Sequence, residues 1–202
     1  MKSKKAKSNI LAKLKNINHF DWESNSIPNQ SDFLFNNNLL DDFINKLEAL
    51  KGKTYLIKNR VDLKSTLNSI IQSENVQSLY CQIEEVSSLI SEKINITSVP
   101  NEDISITGCD FLVSNSGSVV VSSLSGPSRL AYVLPRIQVI IAKKEQLYSG
   151  LDEALDRMLQ KYKKMPSWYS VITGPSRTAD IEKTLVLGAH GPKKLIVIID
   201  VS

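Results

Sequence analysis

The fold is decided by the segment from Ser167 to Val201, which reads SWYSVITGPSRTADIEKTLVLGAHGPKKLIVIIDV. Apolar runs stand near its two ends, at Val171-Ile172 and from Leu195 to Ile199, and each is long enough to predict a buried strand. Between them lie two Gly-Pro turns, an arginine, two carboxylates and a histidine. Because glycine and proline turn the chain beside each run, these polar residues are predicted to lie on loops held by a rigid scaffold, the usual layout of a functional site.

Helical and extended patterns alternate through the rest of the chain. Apolar residues at helical spacing predict a helix from Leu40 to Leu50 that Gly52 closes, followed by a strand from Thr54 to Ile57. Further helices are predicted near 62–71, 83–90 and 151–164, and further strands at 79–81, 111–113, 119–121 and 137–142. Strands separated by helices favour parallel pairing, and the polar turn at 114–118 predicts a hairpin. The sequence therefore predicts an α/β fold: a mostly parallel sheet flanked by helices, with an inserted or edge antiparallel ribbon.

The composition is that of a single globular domain with a lysine-rich N-terminal segment. The chain has 202 residues, of which 42% are hydrophobic and 23% charged. We predict a basic N-terminal helix and loop extension over residues 1–38 and one α/β domain over 39–202. Six of the 25 basic residues are lysines within the first twenty positions, and the other 19 are outnumbered by 21 acidic residues. A chain that is basic only at its start is not predicted to bind nucleic acid.

Targeting and redox signals are weak. Every apolar run is too short for a membrane span, and no apolar segment with a cleavage site follows the lysine-rich start, so a cytoplasmic location is predicted. Cys81 and Cys109 stand in mostly apolar surroundings without metal-ligand spacing, which predicts a packing role and no metal site. Because an iron–sulfur cluster normally takes about four thiolates, no such cofactor is predicted on this chain alone.

The tetrapeptide Gly-Pro-Ser-Arg occurs twice, at 126–129 and at 174–177. An arginine behind such a turn can present its planar guanidinium to a carboxylate or phosphate, while serine hydroxyls and backbone N–H groups complete the hydrogen bonds of the anion. The alternative is an arginine that ties its own loop to a neighbouring carboxylate. The residues predicted to bind an anionic substrate here are Arg129, Gly174, Ser176, Arg177, Thr178 and Glu182.

Three ionisable side chains follow Arg177 in the same segment. Asp180 and Glu182 are candidates to orient the arginine or to carry protons, with loop capping and a structural ion pair as the alternative. His190, flanked by glycines, is the better acid–base candidate because imidazole titrates near neutral pH. Its alternative role is that of a hydrogen-bonded structural histidine. We predict His190 and Asp180 as the catalytic pair.

The segments ITGPSRTADIE and GAHGP resemble the C-terminal signature of the LUD-domain family. A weaker block agrees in the same order: residues 106–111, then 115–118, then Arg129 and Leu134-Pro135. Together the two blocks cover roughly the second half of the chain. The family is similar to the NagB/RpiA/CoA-transferase-like Rossmannoid group, so the resemblance implies that fold. It also implies that both blocks lie on loops near the carboxyl ends of the strands, where such sheets bind ligands.

The chain departs from the family pattern at two places. Asn115-Ser116-Gly117-Ser118 stands where the family commonly has a Glu-Thr-Gly-Thr-like turn, and Gln138 stands where a histidine often occurs. Both departures remove an ionisable group, yet amide and hydroxyl side chains still donate and accept hydrogen bonds. The resemblance therefore implies that Asn115, Ser116, Ser118 and Gln138 contact a substrate.

The resemblance implies a component of a cytosolic L-lactate utilisation system that oxidises lactate to pyruvate. Iron–sulfur clusters would reside on partner proteins, and this chain would supply an anion, carboxylate or nucleotide pocket or a docking surface. A second reading is a stand-alone enzyme of the CoA-transferase, isomerase or cyclo-ligase type acting on a phosphorylated or acyl substrate. In that reading Arg177 holds the anion and His190 or Asp180 moves protons. A third is a non-catalytic interaction subunit, favoured by the lost ionisable groups.

Overall fold

The computed structural model describes residues 38–100, 103–126, 128–163, 166–179, 185–187 and 191–202. Its helices are α1 (Leu39–Ala49), α2 (Arg60–Ser73), α3 (Glu84–Ser87), α4 (Leu130–Val133) and α5 (Leu151–Tyr162). Its strands are β1 (Lys53–Ile57), β2 (Ser78–Cys81), β3 (Asn95–Thr97), β4 (Ile104–Thr107), β5 (Phe111–Val113), β6 (Ser118–Ser122), β7 (Ile137–Lys143), β8 (Leu147–Tyr148), β9 (Tyr169–Ile172), β10 (Arg177–Ala179), β11 (Leu185–Leu187) and β12 (Lys194–Asp200). Short 3-10 turns span Ser114–Ser116 and Lys144–Gln146.

Six strands form a parallel sheet in the order β1-β12-β7-β4-β2-β3. Strand β12 alternates between its faces: Leu195, Val197 and Ile199 pack on one side, Ile196 and Ile198 on the other, and all five are buried. A strand covered on both faces has a continuous apolar sequence, which made this strand predictable. The predicted mostly parallel α/β sheet is confirmed.

Helices α2 and α3 cover one face of this sheet. Leu67 and Ile70 of α2 and Val86 of α3 are buried against Ile106 and neighbouring side chains of the sheet. Each fully buried aliphatic side chain of this kind stabilises the fold by about 1.5–3 kcal/mol. This layer is therefore held by ordinary hydrophobic packing.

A second sheet, together with α1, covers the other face. Its order is β8-β5-β6-β9, and its centre is the predicted hairpin, in which Phe111 pairs with Val120 in the antiparallel register. Phe43 and Leu47 of α1 pack with side chains of both sheets, and Met158 of α5 packs on the outer side of the second sheet. The antiparallel ribbon is thus a layer of its own, whereas we expected it inside or at the edge of the main sheet.

Strand β9 lies at an edge of the second sheet, where it pairs with β6. Tyr169 is 45% exposed and Val171 is 36% exposed. The prediction of a buried strand at Val171-Ile172 was therefore wrong about burial, although the strand exists. An edge strand lacks the second neighbour that would cover it, and apolar composition alone does not reveal this.

The helix predicted over 83–90 is shorter than expected, because α3 ends at Ser87. The hydroxyls of Ser87 and Ser88 donate to the carbonyl oxygens of Glu84 and Glu85, at 2.7 and 2.8 Å. Serine side chains that bond to nearby carbonyls compete with the helical backbone bonds. The apolar spacing had correctly placed the helix but not its end.

The helix predicted over 151–164 is confirmed as α5, which spans Leu151–Tyr162. Asp152 and Glu153 lie in its first turn and Lys161 in its last turn, which suits the helix dipole, while Ala154 and Met158 face inward. None of the helices in the described ranges is long and apolar enough to cross a membrane.

Candidate functional site

The two Gly-Pro turns of the C-terminal signature contact each other. The backbone N–H of Ser176 donates to the carbonyl oxygen of Pro192 at 2.9 Å, and a Cβ on Gly191 would lie 3.2 Å from Ser176 Cβ. Arg177 then opens β10, which pairs antiparallel with β11 and includes Thr178. The structure therefore brings the two halves of the signature together.

This loop lies at the amino end of the main sheet, so the prediction of a position near the carboxyl ends was wrong for it. Gly191-Pro192 come just before β12 begins at Lys194, and the N–H of Lys193 donates to the carbonyl of Arg136 just before β7 begins. The reason is topological. Strand β9, which leads into the loop, belongs to the second sheet, so the loop does not follow a strand of the main sheet.

Ser118 connects the two signature blocks. Its buried hydroxyl donates to the Ser116 hydroxyl at 2.8 Å and shares a second hydrogen bond of 2.8 Å with the hydroxyl of Thr173. Thr173 immediately precedes Gly174, whose φ of 87° is in the left-handed region that favours glycine. We call Ser116, Ser118, Thr173 and Gly174 the signature junction. Three of its members were predicted as site residues, and the structure places them side by side.

The junction packs against the last turn of α1. Gly117 has a φ of 61°, and a Cβ there would lie 2.5 Å from the backbone nitrogen of Leu47. Lys46 donates from Nζ to the carbonyl oxygen of Asn115 at 2.8 Å. The predicted contact residue Asn115 thus uses its backbone to hold a lysine, and its exposed side chain faces solvent.

Arg177 lies beside Gly174. A Cβ on Gly174 would lie 3.1 Å from the carbonyl oxygen of Leu50 and 3.5 Å from Arg177 Nη2. Arg177 is exposed. Its guanidinium is therefore next to the signature junction and accessible to solvent, as an anion-binding role requires.

Gln138 lies apart from both loops, inside the main sheet. It is fully buried in β7, and its Nε2 donates to the Thr107 hydroxyl at 2.9 Å. Its Oε1 is buried and has no hydrogen-bond partner. The structure therefore does not bring Gln138 to the signature junction.

Arg129 stands at a cavity of about 280 Å³ between α4 and the β9 end of the second sheet. Its Cζ lies 5.4 Å from the ring centre of Trp168, a cation–π arrangement, and Trp168 meets the ring of Tyr132 edge-on at 6.1 Å. The lining residues are Val121, Arg129, Tyr132, Val133, Trp168, Tyr169, Ser170 and Ile172. Arg129 gives this lining its positive charge, and the walls are mostly aromatic and aliphatic.

Burial acts on two thiols and on a phenol that lines the cavity. Burial raises the pKa of Cys81 and of Cys109, and it raises the pKa of Tyr132 to about 12. Cys109 is buried in the core and Cys81 is half-buried against it, in agreement with the packing role predicted for both cysteines. Across the described ranges, no three His, Cys, Asp or Glu side chains group closely enough to hold a metal ion.

Three predicted residues, Asp180, Glu182 and His190, lie outside the described residues. Sequence reasoning also missed the aromatic part of the site, since Trp168 and Tyr132 were not candidates. The available signal was the position of Trp168 just before the strand predicted at Val171-Ile172. Only the pairing of β9 with β6 brings that ring to Arg129.

The comparisons with known proteins agree with the described fold. A family model of the LUD domain matches residues 40–199. A lactate utilization protein C of Shouchella clausii is 37% identical over 92 residues, covering 45% of this chain and 40% of that protein. A protein of the same name from a Geobacillus species is 36% identical over 93 residues, covering 45% and 39%.

The matched part of this chain spans about two fifths of the length of these curated relatives. A crystal structure of a DUF162-family protein from Deinococcus radiodurans aligns with a TM-score of 0.61 at 14% identity. The alignment covers 80% of this chain and 96% of that one. At this level of identity the likeness supports the fold alone.

Proposed function

This chain belongs to the LUD domain family, and on that premise we propose that it is a component of a cytosolic L-lactate utilisation system, in which lactate is oxidised to pyruvate. The names of the curated relatives support the system-level assignment. The part we assign to this chain is the binding of a small carboxylate in the Arg129 cavity.

The observation that carries this assignment is the guanidinium at the mouth of a mostly apolar cavity. A planar guanidinium binds a carboxylate through two parallel hydrogen bonds, and stacking on Trp168 holds the fork in place before the ligand arrives. The aromatic and aliphatic walls suit a short apolar body, and Ser170 adds a hydroxyl to the lining. Small-ligand sites are typically built in this way, with few polar groups in apolar surroundings.

The redox centre is assigned to partners. Only two cysteines occur in the chain, whereas an iron–sulfur cluster normally takes about four thiolates. We therefore propose iron–sulfur partner proteins that carry the electrons, with this chain holding or orienting the substrate.

The C-terminal signature supplies the second part of the proposal. Exposed Arg177, beside the signature junction, contacts an anionic group together with Gly174 and Ser176. Asp180 and His190 handle protons there. The remaining contacts proposed for this loop and its neighbours are Thr178, Glu182, Asn115, Ser116 and Ser118.

A docking role is the second candidate, favoured by apolar side chains on and beside α4. Leu130, Val133 and Leu134 are 52%, 50% and 45% exposed next to the cavity. Contiguous exposed apolar side chains are typical of surfaces that meet another protein. Replacing Leu130 and Leu134 with glutamine would then abolish co-purification of cluster-bearing partners while leaving carboxylate affinity intact.

The carboxylate assignment is tested by titrating L-lactate and pyruvate into the purified chain by calorimetry. Arg129→Ala is expected to weaken binding by about tenfold or more, because a charge-assisted contact is lost. Arg157→Ala is the matched control, since Arg157 is exposed on α5 and bonds only to Gln160 among the described residues. Equal affinities of wild type and Arg129→Ala contradict the site. At the level of the system, normal growth on lactate after gene deletion, without co-purifying cluster-bearing proteins, contradicts the assignment.

A further inference from the structure

Three buried side-chain oxygens in the described ranges have no hydrogen-bond partner: Gln82 Oε1, Ser105 Oγ and Gln138 Oε1. The buried hydroxyl of Tyr132 adjoins them and interacts with Thr107. Ser105 and Gln138 are fully buried and Tyr132 is 5% exposed. Buried polar atoms are almost always satisfied in folded proteins, since an unpaired one costs about 1–3 kcal/mol. We call Gln82, Ser105, Tyr132 and Gln138 the polar seam.

The seam lies on one face of the main sheet. Side chains alternate along a strand, and the neighbours Ile104, Ile106, Ile137 and Val139 pack on the opposite face against α2 and α3. Ser105 and its partners therefore face the second sheet and α4. Ser105 lies in β4, Gln138 lies in the adjacent strand β7, and Gln82 directly follows β2 on the other side of β4.

The members of the seam are neighbours of one another. Ser105 and Gln138 are directly paired residues of the β4-β7 ladder, and their side chains make no hydrogen bond to each other. Gln82 donates from Nε2 to the Ser125 carbonyl at 2.9 Å, and a Cβ on the next residue, Gly126, would collide with the Tyr132 hydroxyl. The carboxyl end of β2 thus adjoins the Tyr132 hydroxyl.

The unpaired amide atoms are acceptors. Gln82 Nε2 donates to a backbone carbonyl, and Gln138 Nε2 donates to the Thr107 hydroxyl and, at 3.4 Å, to the Val139 carbonyl. A carbonyl can only accept, so both amides are oriented with the oxygen towards the seam. A guest that satisfies them must donate hydrogen bonds, which a carboxylate cannot do.

We propose that the polar seam binds a hydroxyl-bearing guest, which donates to the amide oxygen of Gln138 and bridges it to the Ser105 hydroxyl. The hydroxyl comes either from ordered water or from the alcohol group of the carboxylate ligand. The second source rests on the proposed function. Tyr132 is the residue that the cavity and the seam share, since it lines the Arg129 cavity and belongs to the seam.

A double-mutant cycle tests whether Ser105 and Gln138 share a bound guest. The urea midpoint of unfolding is measured for wild type, Ser105→Ala, Gln138→Met and the double variant. A shared guest predicts that each single change lowers the midpoint and that the double variant falls no further than the worse single. Ser105→Ala combined with Gln160→Met, at an exposed position on α5, is the control pair and is expected to be additive. Unchanged or raised midpoints of the single variants, or an additive Ser105/Gln138 pair, overturn the proposal.

The source of the hydroxyl is read from the side-chain amide resonance of Gln138 in ¹⁵N-labelled protein, with L-lactate or propionate added. A shift with lactate and not with propionate identifies the ligand alcohol. A resonance that neither acid moves, with coupling present in the cycle, identifies water. If neither acid moves the Trp168 indole resonance, the carboxylate assignment fails, whereas the cycle still decides whether the seam holds a guest.

Discussion

Lys194, the first residue of β12, donates from Nζ to both carboxylate oxygens of Glu74, at 2.5 and 2.7 Å. Arg136, just before β7, adds a contact of 3.4 Å to the same carboxylate. Glu74 caps the end of α2, so this group fastens a helix to the amino ends of two central strands. The C-terminal signature loop lies at the same amino end of the main sheet.

Glu74→Gln is expected to lower the free energy of unfolding by about 1 kcal/mol at neutral pH, because Lys194 is half exposed and solvent screens the pair. The hydrogen bond from Lys194 holds the pKa of Glu74 below its ordinary value of 4.5, with burial acting in the opposite direction. A lowered folded-state pKa gives a contribution that is complete above pH 4.5 and lost as the pH falls through the folded value. Urea unfolding at about pH 7 and about pH 3.5 should therefore show the difference shrinking in acid.

Glu92→Gln is the control for this change, since Glu92 is exposed. It should alter the unfolding free energy little at either pH. A Glu74→Gln variant as stable as wild type at neutral pH would show that the ion pair contributes nothing.

Strands whose sequence is almost continuously apolar could be predicted directly. Strands β7 and β12 were predicted for this reason. Strand β4 was not, because Ser105 and Thr107 alternate with its isoleucines and interrupt the apolar run. Those polar side chains are buried all the same, and they lie in or beside the polar seam. The sequence prediction assumed that buried strands are apolar. Strand β4 was missed because one of its buried faces carries polar side chains.

The site was predictable only in part. Arg129 was found from the repeated Gly-Pro-Ser-Arg tetrapeptide, whose chemistry is local. Trp168 was missed because its contact with Arg129 depends on which sheet β9 joins. The C-terminal loop was predicted at the wrong end of the main sheet for the same reason. The order of strands is a property of the whole fold and cannot be read from one segment.

Gly117→Ala tests the packing of the signature junction on α1. Alanine at a φ of 61° is strained, and its Cβ would meet the Leu47 backbone nitrogen at 2.5 Å. We expect the free energy of unfolding to fall by about 2 kcal/mol. Gly108→Ala is the control, since no atom lies within 4 Å of a Cβ there. Equal losses in chemical denaturation of both variants would show that the close approach to α1 is not the cause.

The hydrogen bond between Ser118 and Thr173 is expected to couple the two signature blocks. Ser118→Ala and Thr173→Val each remove one side of a bond of 2.8 Å in a partly buried setting. A double-mutant cycle measured by urea unfolding should give a coupling of about 1 kcal/mol. Ser118→Ala combined with Ser65→Ala, on exposed α2 surface, should be additive. Additivity in both pairs would mean that the blocks are joined by other contacts.

Trp168→Leu separates the aromatic support of Arg129 from its charge. Leucine keeps the cavity wall apolar but removes the ring over which the guanidinium lies. The arginine side chain then loses more conformational entropy when it binds a carboxylate. We expect the affinity for L-lactate to fall by about two- to fivefold, which corresponds to about 0.5–1 kcal/mol. Trp168→Phe, which keeps an aromatic face, should lie between leucine and wild type in calorimetric titrations. If the leucine and phenylalanine variants bind lactate equally well, the ring acts only as a wall, and the orientation of Arg129 must depend on residues other than Trp168.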